Sequence, residues 1–354
     1  MTAPAPNFVH LSRLTDDVGL LEHSRHAIAR REHGYCTDDV ARGLVVTSRE
    51  SEPTAELQRL SDCYLSFLIH AQDKTGAFHN RFGYDRRWAD QAGLGDWWGR
   101  ALWGLGTAAA GNSAEWIRVA ARAAFARGAN QRSASPHSMA FAGLGAAQIL
   151  QAHPDDAIAI ALLRDAAATV GAPGEDPEWP WPLQRLTYAN AALAEVVIKA
   201  GWVLDDDRLL SNGLRMLAWL CDIQCEGGHL SVIPAGGWRR NESRERYDQQ
   251  PIEVAALADA CATAAAVTGD NRWEEWVNQS VAWFLGDNDA GTLMWDPLTG
   301  GGYDGLMAHG PNLNQGAEST LALIATMQHA RRLSTLGSTH AQAPTSPQLV
   351  LPRI

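Results

Sequence analysis

The chain has no lysine or arginine run and no basic face in its pattern, and its formal net charge is −11 over 354 residues. That balance argues against nucleic acid and membrane as partners, since anionic polymers and lipids recruit proteins through clustered positive charge. A neutral or cationic ligand fits better. The opening Met1-Thr2-Ala3-Pro4-Ala5-Pro6 lacks the basic and apolar regions of a signal peptide, and no apolar run reads as a bilayer span, so a cytoplasmic location is expected. Five cysteines, at 36, 63, 221, 225 and 261, are an odd number without metal-ligand spacing. Cys221 and Cys225 read as two buried thiols rather than a redox pair. Also missing are an H-x-x-x-H helix signature and the G-x-S-x-G, Walker and Rossmann fingerprints. Asp16-Asp17 and Asp38-Asp39 lack the ligand spacing of a cation site. No metal and no cofactor are therefore expected. Strand signals are sparse, with Leu230-Ser231-Val232-Ile233 as one candidate hairpin.

What is present is a large hydrophobic share, 46%, arranged as helix pairs. Apolar recurrence and breakers predict pairs at 37–49 with 55–71, 96–110 with 114–128, 136–151 with 155–170, 187–201 with 207–223 and 251–267 with 271–285. A sixth inner helix begins near 314 and needs a partner from 328–335 or from the N-terminal segment, itself read as holding a helical stretch that ends at Arg30-Arg31. Breaks within pairs are short, whereas those between pairs (72–95, 171–186, 224–250, 286–313) are long and rich in Gly, Trp and charge. Two helices per unit and six units predict an all-α (α/α)6 toroid of six hairpins, decorated on one rim. Residues 1–335 form one domain in this reading, and 336–354 an irregular or disordered tail.

Long loops in a compact domain are usually functional, and here each leads into an inner helix that starts with polar or acidic residues. Tyr35-Cys36-Thr37-Asp38-Asp39 is the first such start, with Thr37 as a cap and the aspartates on the positive end of the helix dipole. Gly95-Asp96, Ser135-Pro136-His137, Tyr188-Ala189-Asn190, Gln249-Gln250-Pro251-Ile252-Glu253 and Asn314-Gln315-Gly316-Ala317-Glu318 follow. Singly, each acid has a structural explanation. Asp38 with Arg42 and Asp96 with Arg100 are i,i+4 pairs, and Glu253 suits a capping box. Together, if the starts share one rim, the carboxylates crowd a single concavity whose repulsions and dipoles separate their pKa values, as an acid/base pair requires. Of the 14 tryptophans many fall in rim loops or first turns, including Trp88, Trp97, Trp98, Trp179, Trp181, Trp238 and Trp295, as platforms for sugar rings; Trp103, Trp219 and Trp283 read as core.

The strings Leu14-Thr15-Asp16-Asp17-Val18-Gly19-Leu20, Gly34-Tyr35-Cys36-Thr37-Asp38-Asp39, Asn80-Arg81-Phe82, Gly99-Arg100-Ala101-Leu102-Trp103-Gly104-Leu105-Gly106, Asp248-Gln249-Gln250-Pro251-Ile252-Glu253 and Asn314-Gln315-Gly316-Ala317-Glu318-Ser319 together resemble a bacterial family of six-hairpin glycosidase-like proteins. The resemblance spans roughly residues 10–330. It implies an (α/α)6 barrel, a carbohydrate substrate and possible association with glycosyltransferases, to which some members are fused. The chain departs from the family's pattern at Val40, where Asn is usual, and at Gly95, where Glu is usual.

The expected activity is that of a glycoside hydrolase on an oligosaccharide or polysaccharide. Asp39 and Glu253 are the first pair, with Asp39 as base and Glu253 as acid or the two reversed; Asp96 and Glu318 are in reserve, and inversion requires carboxylates about 6.5–9.5 Å apart. Asp38, Arg42, Arg87, Trp88, Trp97, Arg100, His137, Tyr188, Asn190, His229, Gln249, Gln250, Asn314 and Gln315 are expected to hold the sugar. The alternatives are a non-catalytic sugar-binding subunit for glycan synthesis, motivated by Val40 and Gly95, and a sugar epimerase with His137 and His229 facing each other.

Overall fold

The computed structural model describes residues 3–341, with side chains through 333. Six helices form an inner ring: α2 (Thr37–Ser48), α4 (Asp96–Gly111), α6 (Pro136–Ala152), α8 (Ala191–Val203), α10 (Pro251–Thr268) and α12 (Ala317–Ala341). Each packs on the next, and α12 closes on α2. Around them lie α3 (Ala55–Ala71), α5 (Glu115–Gly128), α7 (Ala157–Val170), α9 (Asp207–Ile223) and α11 (Arg272–Phe284), with the short α1 (Val9–Leu14) against α12. This is the expected (α/α)6 toroid. The sixth outer partner is the N-terminal α1, because residues 328–335 continue α12 rather than turning back.

Local chemistry accounts for the helix limits. Ser135 caps α6 by accepting from the Ser138 N–H at 3.3 Å, and Pro136 fills the first helical position, where no N–H is needed. Pro251 does the same for α10, which ends at Gly269 in the left-handed conformation (φ 67°). Inner helices are apolar nearly all round because they have neighbours on both flanks. α10 has the length and mean hydropathy (1.3) of a membrane span, yet 67% of that window is buried inside the barrel. Glycines set the closeness of the ring: a Cβ at Gly99 would stand 2.1 Å from the Ser138 carbonyl oxygen, and one at Gly145 would stand 2.2 Å from that of Leu102. The α4 and α6 backbones therefore touch, which explains the small residues of the Gly99–Gly106 string.

The loops entering the inner helices are joined by two-residue antiparallel ribbons. Tyr35–Cys36 pairs with Arg81–Phe82, and Arg185–Leu186 with Trp238–Arg239. Cys225–Glu226 pairs with His229–Leu230, so the hairpin expected over 230–233 lies a few residues earlier. The helical stretch expected to end at Arg30-Arg31 is instead a ribbon, Ser24–Arg25 with Ile28–Ala29, followed by a 3-10 turn. His26, at the turn of that ribbon, takes a positive φ of 50°, which no helix accommodates. The tail expected from 336 belongs to α12 as far as Ala341; the rest of it lies outside the described residues. Cys221 is buried 3.8 Å from Cys261, sulfur to sulfur, whereas Cys225 is exposed.

The barrel axis is pinched by an apolar neck, of about 40 Å³ free space, where Val45, Leu144, Ile252 and Leu321 meet. On the far side Arg49 bonds Asp259 of α10 (2.8 Å), while Arg331 bonds Glu50 (2.7 Å) and Gln328 Nε2 donates to the Val46 carbonyl (2.8 Å), closing the α12–α2 seam. Asp259 is held below the usual carboxylate range, because Arg49 and the His329 hydrogen bond more than offset its burial.

Candidate active site

On the near side of the neck a cavity of about 420 Å³ opens among the starts of the inner helices. Six carboxylates line it, Glu22, Asp38, Asp39, Asp96, Asp304 and Glu318, with three guanidiniums, Arg42, Arg81 and Arg100. Tyr188, Gln250 and His23 also contribute. Of the expected site residues, the structure thus brings Asp38, Asp39, Arg42, Asp96, Arg100, Tyr188, Gln250 and Glu318 together at one rim.

Their pairing differs from the helical i,i+4 expectation. Arg42 bonds Asp39, one turn back, and reaches over the α2–α12 seam to Glu318 at 2.9 Å. Arg100 pairs with Asp38 of the neighbouring helix, Nε to Oδ1 3.3 Å, rather than with Asp96. Asp96 accepts from Ser138 Oγ (2.8 Å) and from the Tyr188 hydroxyl. Arg100 thus finds its carboxylate on an adjacent helix, whereas Arg42 uses one on its own helix and one on the next. Thr37 does not cap α2 either. It is the first helical residue, and its hydroxyl donates to the His79 carbonyl at 2.7 Å, tying the helix start to the 72–95 loop.

Burial governs the electrostatics. Asp39 is 2% exposed, and loss of water pushes its carboxyl up to about 7; Arg42 opposes this, while Glu318 and Glu22 reinforce it. The dipole of α2 does not keep Asp39 ionised against that desolvation, so it suits an acid rather than the base expected from its position. Asp304 is likewise raised by burial. Glu318 keeps 39% of its side chain exposed. Burial also raises the Cys36 thiol well above its ordinary range. Glu22, Cys36 and Asp39 offer ligand atoms within 4.8 Å of one another, but Arg81 holds Glu22, Arg42 holds Asp39, and the thiol is protonated, a donor set poorly disposed to a cation.

Other expected residues stand elsewhere. Glu253 is 2% exposed and does not line the cavity; its carboxylate accepts from the Asn190 side-chain amide (2.8 Å) and the Asn190 backbone N–H (3.3 Å), so it caps the start of α8 rather than its own helix. Asn190 is thereby occupied. Gln249 is fully buried, accepting from Trp283 Nε1 at 3.0 Å. His229 bonds Asp289 at 3.2 Å, and His137 bonds the Tyr188 carbonyl at 2.8 Å while stacking on the Tyr188 ring. Neither histidine lines the cavity, and burial lowers the His137 pKa. Asn314 accepts from the His26 N–H (3.0 Å), and Gln315 accepts from Thr299 (2.6 Å). Arg87 is exposed outside the cavity.

The tryptophan platforms are not at the cavity. Trp88 stacks on His79 within an aromatic cluster, Trp97 Nε1 donates to the Phe78 carbonyl, and Trp179 packs on Trp219 and Trp238. They brace the loops. The two departures from the family pattern have local causes: Val40 is fully buried, and a Cβ at Gly95 would lie 2.3 Å from the Trp97 ring, so indole occupies the space a side chain there would need.

Glu22, His23, Arg81, Asp304, Asn312 and Ser319 also line the cavity and lie outside the site expected from the sequence. Arg81 and Ser319 lie within the quoted strings, so a signal existed. Glu22 and Asp304 sit in irregular loops, where no periodicity announces direction.

No protein-family model and no curated protein sequence matches the chain. Solved structures are similar in fold. A sugar epimerase from a ruminal bacterium superposes with a TM-score of 0.69 at 13% identity, covering 91% of this chain and 95% of that one. Cellobiose 2-epimerase from Bacillus thermoamylovorans gives 0.66 at 10%, covering 91% and 95%. A cellulase of C. cellulolyticum in complex with cellobiose gives 0.61 at 9%, covering 89% and 88%. At such identities the likeness establishes the toroid.

Proposed function

We propose that the chain is a glycoside hydrolase acting on an oligosaccharide or polysaccharide. The observation that carries this reading is the Asp39–Arg42–Glu318 bridge in an acid-lined cavity: a buried carboxyl held near 7 and an exposed one share a single guanidinium. In this reading protonated Asp39 donates to the glycosidic oxygen as the C–O bond to the anomeric carbon breaks. Glu318 takes a proton from the water that supplies the new oxygen, or attacks the carbon itself, in which case water deprotonated by Asp39 then displaces Glu318 and releases the sugar. Asp96, fixed by Tyr188 and Ser138, binds a ring hydroxyl. Glu253 is left out of the chemistry because its oxygens are spent on α8.

The test is incubation of wild type, Asp39→Asn and Glu318→Gln with α- and β-linked gluco-, manno-, galacto- and arabino-oligosaccharides, read by mass spectrometry. Cleavage by wild type that falls at least about 100-fold in both variants is expected. Binding without cleavage by wild type would favour the non-catalytic subunit; full activity in both variants would refute the pairing.

A second reading, a sugar epimerase, is favoured by the names of two of the neighbouring structures. It would draw on His23, the imidazole that lines the cavity, rather than His137 and His229. An oligosaccharide recovered at unchanged mass but altered chromatographic retention would select it.

A further inference from the structure

The cavity floor carries polar groups that the proposed cleavage leaves unused. Arg100 is 4% exposed, and with Arg42 and Glu318 it lines both the cavity and the neck beneath, at the junction of the two. Among the described residues its guanidinium makes no hydrogen bond; its Cζ lies 4.1 Å from the Phe141 ring centroid, which holds the group in place. Asp38 Oδ1, 3.3 Å from Arg100 Nε, is buried without a hydrogen-bond partner. A buried carboxylate oxygen left without a hydrogen bond costs about 1–3 kcal/mol unless something completes it.

We infer that Arg100 and Asp38 form a subsite that reads one hydroxyl of a neutral, unsubstituted sugar ring at the bottom of the cavity. The inference rests on the carbohydrate reading of the cavity, though not on which carboxylate is the acid. A hydroxyl accepts from the guanidinium and donates to the carboxylate through the same oxygen, so it completes both groups at once. A uronic acid carboxylate would satisfy Arg100 and face Asp38, like charge against like. The ammonium of an amino sugar would satisfy Asp38 and face Arg100. An N-acetyl group places donor and acceptor on separate atoms, so no single oxygen of it completes both groups. Specificity here comes as much from rejection as from attraction.

The experiment is calorimetric titration of wild type, Asp38→Asn and Arg100→Lys with three probe sets: neutral gluco-, manno- and galacto-trisaccharides, glucosamine trisaccharide, and galacturonate trisaccharide. Wild type is expected to bind a neutral member at least about tenfold more tightly than either charged one. Asp38→Asn should narrow the neutral-to-galacturonate ratio about tenfold, a change that a merely structural role would not produce. Arg100→Lys, which keeps the charge but loses the planar fork, should weaken neutral binding about tenfold. A charged sugar bound by wild type as tightly as a neutral one, or a ratio unmoved in folded Asp38→Asn, overturns the subsite while leaving the hydrolase reading standing. Binding of none of the three classes by folded wild type overturns both. If Asp38→Asn fails to fold, the wild-type ranking decides alone.

Discussion

Replacing Glu253 by Gln separates a structural role from a chemical one through its pH dependence. Burial pushes this carboxyl from an ordinary 4.5 to about 7, against the pull of the Asn190 amide and N–H donors. The unfolded chain releases the proton near 4.5, and the native protein keeps it until about 7, so the stabilising contribution is whole below the lower value and is lost as pH rises through the upper one. At about 1.36 kcal/mol per pH unit, and allowing for partial titration at each end, wild type loses about 2.5 kcal/mol from this group between pH ~5 and ~8. Gln cannot titrate. It still offers one acceptor oxygen to Asn190, so the variant pays a nearly constant penalty of about 1–2 kcal/mol for its mismatched amide. Asp39, raised in the same direction, remains in both proteins and cancels in the difference. Urea unfolding at four pH values then gives the answer: the stability of wild type minus that of Glu253→Gln should shrink by about 2–3 kcal/mol from pH ~5 to ~8. Parallel curves would refute the burial argument. Parallel curves together with lost turnover would return Glu253 to the chemistry.

With Asp39 as the acid, kcat on a cleaved oligosaccharide should fall as pH rises through about 7, and Asp39→Asn should lower kcat by about 100- to 10,000-fold and remove that alkaline limb from what remains. Tyr188→Phe takes a hydroxyl donor from Asp96; since Tyr188 is 38% exposed, kcat/KM should drop about tenfold with Tm shifted by less than about 2 °C in steady-state and melting assays. Gly99→Ala drives a methyl into the Ser138 carbonyl and should cost about 2–3 kcal/mol or more in urea unfolding, while Ala at the exposed, open Gly236 should stay within about 0.5 kcal/mol.

The fold was legible because an inner helix must be apolar nearly all round, and six such helices joined alternately by short and long loops have few ways to bury themselves. Cavity residues on helix starts were legible for the same reason: Asp38, Asp39, Asp96 and Glu318 follow from where each helix begins. What escaped was direction. Glu253 shares the first-turn position of these acids, yet it turns sideways to Asn190, because the α8 start offers it N–H groups that no local pattern reveals. Trp88 sits in a rim loop and Trp97 in the first turn of α4, but both turn to the 72–95 loop, where His79 and the Phe78 carbonyl take them up. Arginine partners are not legible from helix spacing alone: Arg100 meets Asp38 of the neighbouring helix, and Arg42 bonds Asp39 three residues back instead of Asp38 four back.

The seam between α12 and α2 has a bearing on synthesis. Gln328 and Val46, bonded across it, are 282 residues apart in the chain. Contacts of such long sequence separation form late, since most of the loop entropy must be spent before they are rewarded. An emerging polypeptide can stack its hairpins in order, but it remains an open arc with an apolar inner wall until the last helix is translated and docks. Glu318 arrives on that helix. Under the proposed chemistry, no partial chain ending before α12 can bring a second carboxylate to Arg42, and the protein becomes competent at the same moment as it becomes closed.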